Sequence, residues 1–326
     1  MTRPPLRAAD GRPILLAVVG PTATGKSALA LAVAEAVGGE IVSCDSTAVY
    51  RGFDIGTDKV PVSDRRGIPH HLVDVADPLE TYTAARYSQD AGEAVRAVTA
   101  RGRLPILVGG TGFYYRALTR GLFPGPARDP ALRARLSRVA HRRGVESLHR
   151  WLARCDPASA QRVKPRDEQR LVRALEVWLL TGRTLTDHFA DTRSPIADYE
   201  VLTVALALDH ETLESRIARR VGEQFASGLL EEIVALWATG LAPDAAPFRG
   251  LVYRQAVEHL QGVRDAVATR ALIIRENRRY ARRQLIWFRK EPNLHWIHAP
   301  GEDDATYDAT RRLLEAVVEP LPLPFP

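Results

Sequence analysis

The chain has 326 residues, is 45% hydrophobic and 26% charged, and carries a net charge of +6. That composition fits a soluble globular protein with room for one large domain plus an insertion. No run of about 18 apolar residues occurs, which argues against a membrane-spanning helix, and residues 1–13, despite Arg3, Arg7 and Arg12, lead into no signal-peptide core.

Taken in chain order, Ile14–Val19 reads as a buried strand and Ser27–Val37 as an Ala- and Leu-rich helix starting at Lys26 and stopping at Gly38-Gly39. Ile41–Cys44 predicts a second short strand, residues 84–101 a helix and Ile106–Val108 a third strand. Between 121 and 198 strand signals vanish. Arg-rich helical patterns take over at 129–143, 146–154, 157–163 and 166–181, with Pro124, Pro126 and Pro195 at the borders. Val201–Leu208 is a further strand candidate, followed by helices at 210–226, 228–239, 253–261 and about 265–289. Residues 320–326 are too proline-rich for helix or sheet and read as an extended tail. The expected fold is α/β. A P-loop-type open parallel sheet (residues 1–120 and 199–326) is interrupted by a helical insertion (121–198).

The most specific local signal is Gly20-Pro21-Thr22-Ala23-Thr24-Gly25-Lys26-Ser27, between a strand and a helix. In this pattern glycines turn backbone N–H groups toward phosphate oxygens, Lys26 supplies a positive charge and Ser27 a hydroxyl for Mg2+. The helix N-terminus adds partial positive charge. The motif specifies a phosphate chain, neither ATP nor a kinase. Asp45 ends the second strand and suits either of two roles, holding Mg2+ through water or acting as a general base. Gly109-Gly110-Thr111-Gly112 ends the third strand and allows a close backbone approach to a ligand, with Thr111 as a donor. Arg216 and Arg220, one helical turn apart, are either a lid over the phosphates or exposed helix arginines. Adjacent His70 and His71 point to opposite faces of an extended chain, so hydrogen bonding or packing is expected there rather than metal ligation.

Only four of the 45 basic residues are lysines: Lys26, Lys59, Lys164 and Lys290. An arginine excess suits a polyanionic partner as well as a solvated surface. Arg170 and Arg173 share a helix face and suit RNA contact, with intrahelical pairing to Glu176 as the alternative. Residues 275–290 mix arginines with Tyr280, Trp287 and Phe288 and read as structural with a basic face. Cys44 and Cys155 are the only cysteines, and without a secretory signal they fit a reducing cytoplasm.

Taken together, Gly20–Ser27, Ser43–Tyr50 with Asp54–Thr57, Leu107–Thr111, Gln169–Glu176, Tyr253–Gln255 and Arg283-Gln284 resemble the tRNA dimethylallyltransferase family, in family order from about residue 14 to 298. The resemblance implies transfer of a five-carbon prenyl group from dimethylallyl diphosphate to N6 of adenine 37, beside the anticodon of tRNA. It implies that the P-loop holds the donor's diphosphate with Mg2+ on Ser27, and that Asp45 is the catalytic base. It further implies that Asp45, Ser46, Thr47 and Ala48 touch the target nucleotide and that Thr111 and Arg133 contact substrate. Gln169, Arg170, Leu171, Val172 and Arg173, and likewise Arg249, Gly250, Leu251, Val252, Tyr253 and Arg254, would line the tRNA anticodon stem-loop surface. A cytoplasmic monomer is expected. The chain departs from the family pattern at Val252, where glycine is usual, and at Asp58 and Val60 in a stretch usually reading Gly-Thr-Ala-Lys-Pro. No cysteine follows Cys155, so the zinc finger of eukaryotic relatives is absent and the bacterial type is implied. Rival readings are a small-molecule or nucleotide kinase, an AMP-directed cytokinin-type prenyltransferase and a non-catalytic RNA-binding protein. A guanine-nucleotide switch is disfavoured, since no Asn-Lys-x-Asp occurs.

Overall fold

The computed structural model describes residues 5–123 and 125–318. Pro124 and the proline-rich stretch 320–326 lie outside the described residues. The chain divides into two compact units, one of residues 1–119 and 196–326, the other of residues 120–195.

In the larger unit, β1 (Ile14–Val19), β2 (Glu40–Ser43), β3 (His70–His71), β4 (Pro105–Gly109), β5 (Glu200–Leu206) and β6 (Leu294–Ile297) form one sheet in the order β3-β2-β4-β1-β5-β6. Every pairing is parallel. Strands covered on both faces must be apolar at every position, and all six residues of β1 are buried. Alternate residues feed two cores. Leu15, Ala17 and Val19 join Val42, Leu107 and Ala205 on one face, while Ile14, Leu16 and Val18 join Ile41, Ile106 and Val204 on the other.

Helix α1 (Lys26–Val37) packs on the second face and ends at Gly38, whose left-handed backbone (φ 70°) lets its N–H reach Ala34 O. Helices α2 (Ala84–Ala100) and α3 (Gly112–Thr119) pack on the first face. Helix α3 is not assigned by the sequence reading, and at its first residue, Gly112, a Cβ would strike the Trp287 indole.

The smaller unit is helical: α4 (Pro130–Arg143), α5 (Val145–Cys155), α6 (Pro157–Arg162), α7 (Glu168–Thr181) and α8 (Leu185–Ala190). Leu136, Leu148, Leu152, Leu171 and Leu175 form its core. Its helix starts are written in the sequence. Asp129 and Asp156 each cap a helix and are each followed by proline. Thr184 and Asp187 form a capping box that starts α8, which the sequence reading leaves unassigned.

Back in the larger unit, β5 stops two residues short of the expected Leu208. Asp209 then caps α9 (His210–Ala226) by accepting from Thr212 N at 2.8 Å. Helices α10 (Leu229–Ala238), α11 (Tyr253–Leu260) and α12 (Ala266–Phe288) follow close to their expected bounds. Strand β6 and helix α13 (Asp304–Val317) were not anticipated.

Candidate active site

The sheet register sets the site. Val19 lies opposite Gly109 and Ala205, and Ser43 opposite Val108. The loops leaving β1, β2 and β4 therefore start side by side at the carboxyl edge, where open parallel sheets bind ligands.

The first loop is Gly20–Ser27. Its backbone runs through positive φ at Gly20, Ala23 and Gly25. Thr24 Oγ1 donates to Pro21 O at 3.0 Å and Lys26 Nζ donates to the same carbonyl at 2.6 Å. Burial, reinforced by the nearby Arg220 charge, lowers the Lys26 ammonium to about 7. Ser27 is exposed in the first turn of α1, and its hydroxyl makes no hydrogen bond among the described residues. A free hydroxyl beside a phosphate loop is a hard oxygen donor that fits Mg2+.

The second loop begins at Asp45. Its Oδ1 accepts from Thr47 N at 2.7 Å and Ala48 N at 3.1 Å, so the carboxylate caps its own turn. No hydrogen bond from the described residues reaches Oδ2. The third loop places Thr111 across from it. Ser46 N donates to Thr111 Oγ1 at 3.1 Å, and Thr111 N donates to Cys44 O at 3.2 Å. Tyr280 on α12 faces Thr111 and Asp45. Its phenol is held above the usual range by burial first and then by the Asp45 charge.

Two arginines on α9 reach the P-loop. Arg216 Nε donates to Ala23 O at 2.8 Å, and the same side chain pairs with Glu302. Arg220 Nη1 donates to Thr22 Oγ1 at 2.9 Å. Gln284 ties the first and third loops together, accepting from Thr22 N at 2.8 Å and donating to Gly110 O at 2.9 Å. Gln284, Tyr280 and Glu302 were not among the expected site residues. Only the Arg283-Gln284 pair carried a sequence signal.

His70 Nδ1 lies 2.9 Å from Ile68 O and His71 Nε2 lies 2.7 Å from Glu40 Oε2, so each histidine has a hydrogen-bonding partner.

In the helical unit, Arg133 and Arg173 converge on the fully buried Glu176, at 3.2 and 2.8 Å, and Asp129 N donates to its other oxygen at 2.9 Å. The intrahelical pairing of Arg173 is therefore formed, and both arginines neutralise a carboxylate that would be costly to bury alone. Four expected RNA-contact positions have buried side chains: Leu171, Val172, Val252 and Tyr253. Tyr253 is fully engaged, donating to Glu232 at 2.6 Å and accepting from Gly56 N at 3.0 Å. The exposed side chains at these two stretches are Gln169, Arg170, Arg249 and Arg254, with Arg173 and Leu251 half-buried. Ala48 is also buried, while Ser46 is exposed and Thr47 half-buried.

Residues 48–291 match the family model described as IPP transferase. A tRNA dimethylallyltransferase of Solibacter usitatus is 47% identical over 305 residues, covering 92% of this chain and 99% of the relative. One from Geobacter sulfurreducens is 42% identical over 291 residues, covering 89% and 94%. The crystal structure of a full-length tRNA isopentenylpyrophosphate transferase from Bacillus halodurans superposes with a TM-score of 0.68 at 33% identity, covering 93% of this chain and 97% of that one.

Proposed function

The chain belongs to the IPP transferase family, and from that premise we propose that it is a tRNA dimethylallyltransferase that moves a dimethylallyl group from dimethylallyl diphosphate to N6 of adenine 37. The observation that carries the residue-level reading is the juxtaposition of a phosphate loop with a carboxylate, Asp45, that keeps one oxygen uncommitted.

An exocyclic adenine amine is a weak nucleophile because its lone pair is delocalised into the ring. As N6 bonds to the allylic carbon, that carbon's bond to the diphosphate oxygen breaks and the electron pair leaves with diphosphate. The N6 proton passes to Asp45 Oδ2, an assistance worth about 10²–10⁴-fold for general bases. Thr111 orders the backbone of the Asp45 turn through Ser46 N. The loop amides, Lys26, Arg216 and Arg220 face the charge that grows on the leaving group. Mg2+, held by Ser27, would supply Lewis-acid neutralisation of the diphosphate.

The acceptor adenine must leave the anticodon-loop stack to be reached, at a cost of a few kcal/mol. Exposed Gln169 and Arg170 in one unit, and exposed Arg249 and Arg254 in the other, are each suited to contact RNA. Such an enzyme works with tRNA in the cytoplasm. No helix among the described residues is long and apolar enough to cross a membrane.

The residue assignment is tested with Asp45→Ala. Transfer to tRNA should fall by about 10²-fold or more, with donor and tRNA binding close to wild type. A variant that still prenylates at a near-normal rate would remove Asp45 from the role of base.

A further inference from the structure

The loop at 54–59 is unusually well fixed for an exposed connection. Glu232 Oε2 accepts from Asp54 N at 2.9 Å and Ile55 N at 2.8 Å. Gly56 lies against the Tyr253 ring, where a Cβ would collide. Lys59 Nζ reaches Tyr50 O, Asp54 and Asp74 at 2.6–2.7 Å. Between these anchors Asp58 adopts a left-handed backbone (φ 52°), which short polar residues tolerate.

The fixed loop delivers the Asp58 carboxylate to the phosphate site. Oδ2 pairs with Arg220 Nη1 at 3.1 Å and Oδ1 accepts from Gln224 Nε2 at 3.0 Å. The same Arg220 nitrogen donates to Thr22 Oγ1 in the P-loop. One guanidinium nitrogen thus spans the phosphate loop and the Asp58 carboxylate. The charged groups facing Asp58 are Arg220 and Glu223 on α9, Lys26 at the start of α1, and Asp45.

We propose that Asp58 is an internal counter-anion for Arg220 that an incoming diphosphate must displace, so that it keeps the arginine in place yet loosens the hold on donor and on released diphosphate. The inference rests on reading this site as a diphosphate site. Its physical basis is that a carboxylate and a polyphosphate repel each other and compete for one guanidinium. A pH signature follows. The Asp58 side chain stays 33% exposed, and partial desolvation beside the P-loop raises its carboxyl to about 6, against the opposing pull of Arg220. Its negative charge, and hence its competition, is full well above that pH and fades below it.

Isothermal titration with inorganic pyrophosphate in the presence of Mg2+ tests this on the full chain. Asp58→Asn keeps the size, an oxygen for Gln224 and tolerance of positive φ. It should bind pyrophosphate on the order of tenfold more tightly than wild type at about pH 8. The ratio of the two affinities should move toward one at about pH 5. Protonation of the ligand is common to both proteins and cancels in that ratio. Asp58→Ala should rank with Asp58→Asn. Equal or weaker binding by both variants at about pH 8, or a ratio that does not change with pH, would overturn the inference. Absence of binding by wild type and variants alike would overturn the diphosphate reading as well.

Discussion

Among single residues, charged groups are held close together beside the P-loop. Lys26 illustrates this. Burial and Arg220 pull its ammonium to about 7, so at about pH 8 most of it is neutral. A bound diphosphate favours the charged form, and Lys26 should therefore take up a proton as the ligand binds. Calorimetry in buffers of different ionisation enthalpy reads that uptake, and Lys26→Met should abolish most of it. Binding whose heat is independent of the buffer would show that Lys26 is already charged in the free protein. The linkage has a second consequence. The folded value lies below the unfolded one, so the unfolded chain holds more protons between about pH 7 and about pH 10. This group's contribution to stability therefore rises with pH across that window. The P-loop, Asp45 and Thr111 were legible in the sequence because each sits at the end of an apolar run. Gln284 and Tyr280 were not singled out as site residues, because α12 brings them to the loops from far along the chain.

At the element scale the start of α11 stores strain. Val252 has φ 76° and ψ −61°, a region that β-branched residues avoid, yet its side chain is buried in the main core. Comparing Val252→Ala with Val252→Gly separates the two effects, since both lose the valine packing and only glycine relieves the backbone. Val252→Gly should be more stable than Val252→Ala by about 1–2 kcal/mol, read as a higher thermal midpoint. The reverse order would mean that the turn is unstrained. The departure from glycine at this position was visible in the sequence, but its backbone angle was not. Helix starts were legible where an aspartate precedes a proline, as at Asp129 and Asp156. Helix α3 was not assigned from the sequence, where its start is marked only by glycines; these serve close packing, Gly109 against Cys44, Gly110 against Gln284 and Gly112 against Trp287. Strands β3 (His-His) and β6 (Leu-His-Trp-Ile) lack the short apolar run that marks β2 and β4.

Across the chain, one unit carries the sheet and the P-loop, and the other is built of arginine-rich helices. Arg170 is exposed, its side chain pairing among the described residues with Asp167 at 3.4 Å, whereas Arg173 already serves Glu176. Arg170→Ala should therefore weaken tRNA binding and reduce the slope of log affinity against log salt by about one unit, with little change in stability. Arg173→Ala should in addition lower the thermal midpoint, because it strips a partner from a buried carboxylate. An unchanged salt slope for Arg170→Ala would place the RNA elsewhere. The central claim is tested most directly by incubating the protein with Mg2+, labelled dimethylallyl diphosphate, and two acceptors in parallel. One is an unmodified tRNA with adenines at positions 36 and 37, the other is AMP. The account predicts label in the tRNA, at N6 of adenine 37, and none in AMP. Label in AMP alone, or in neither acceptor with both intact, would contradict it.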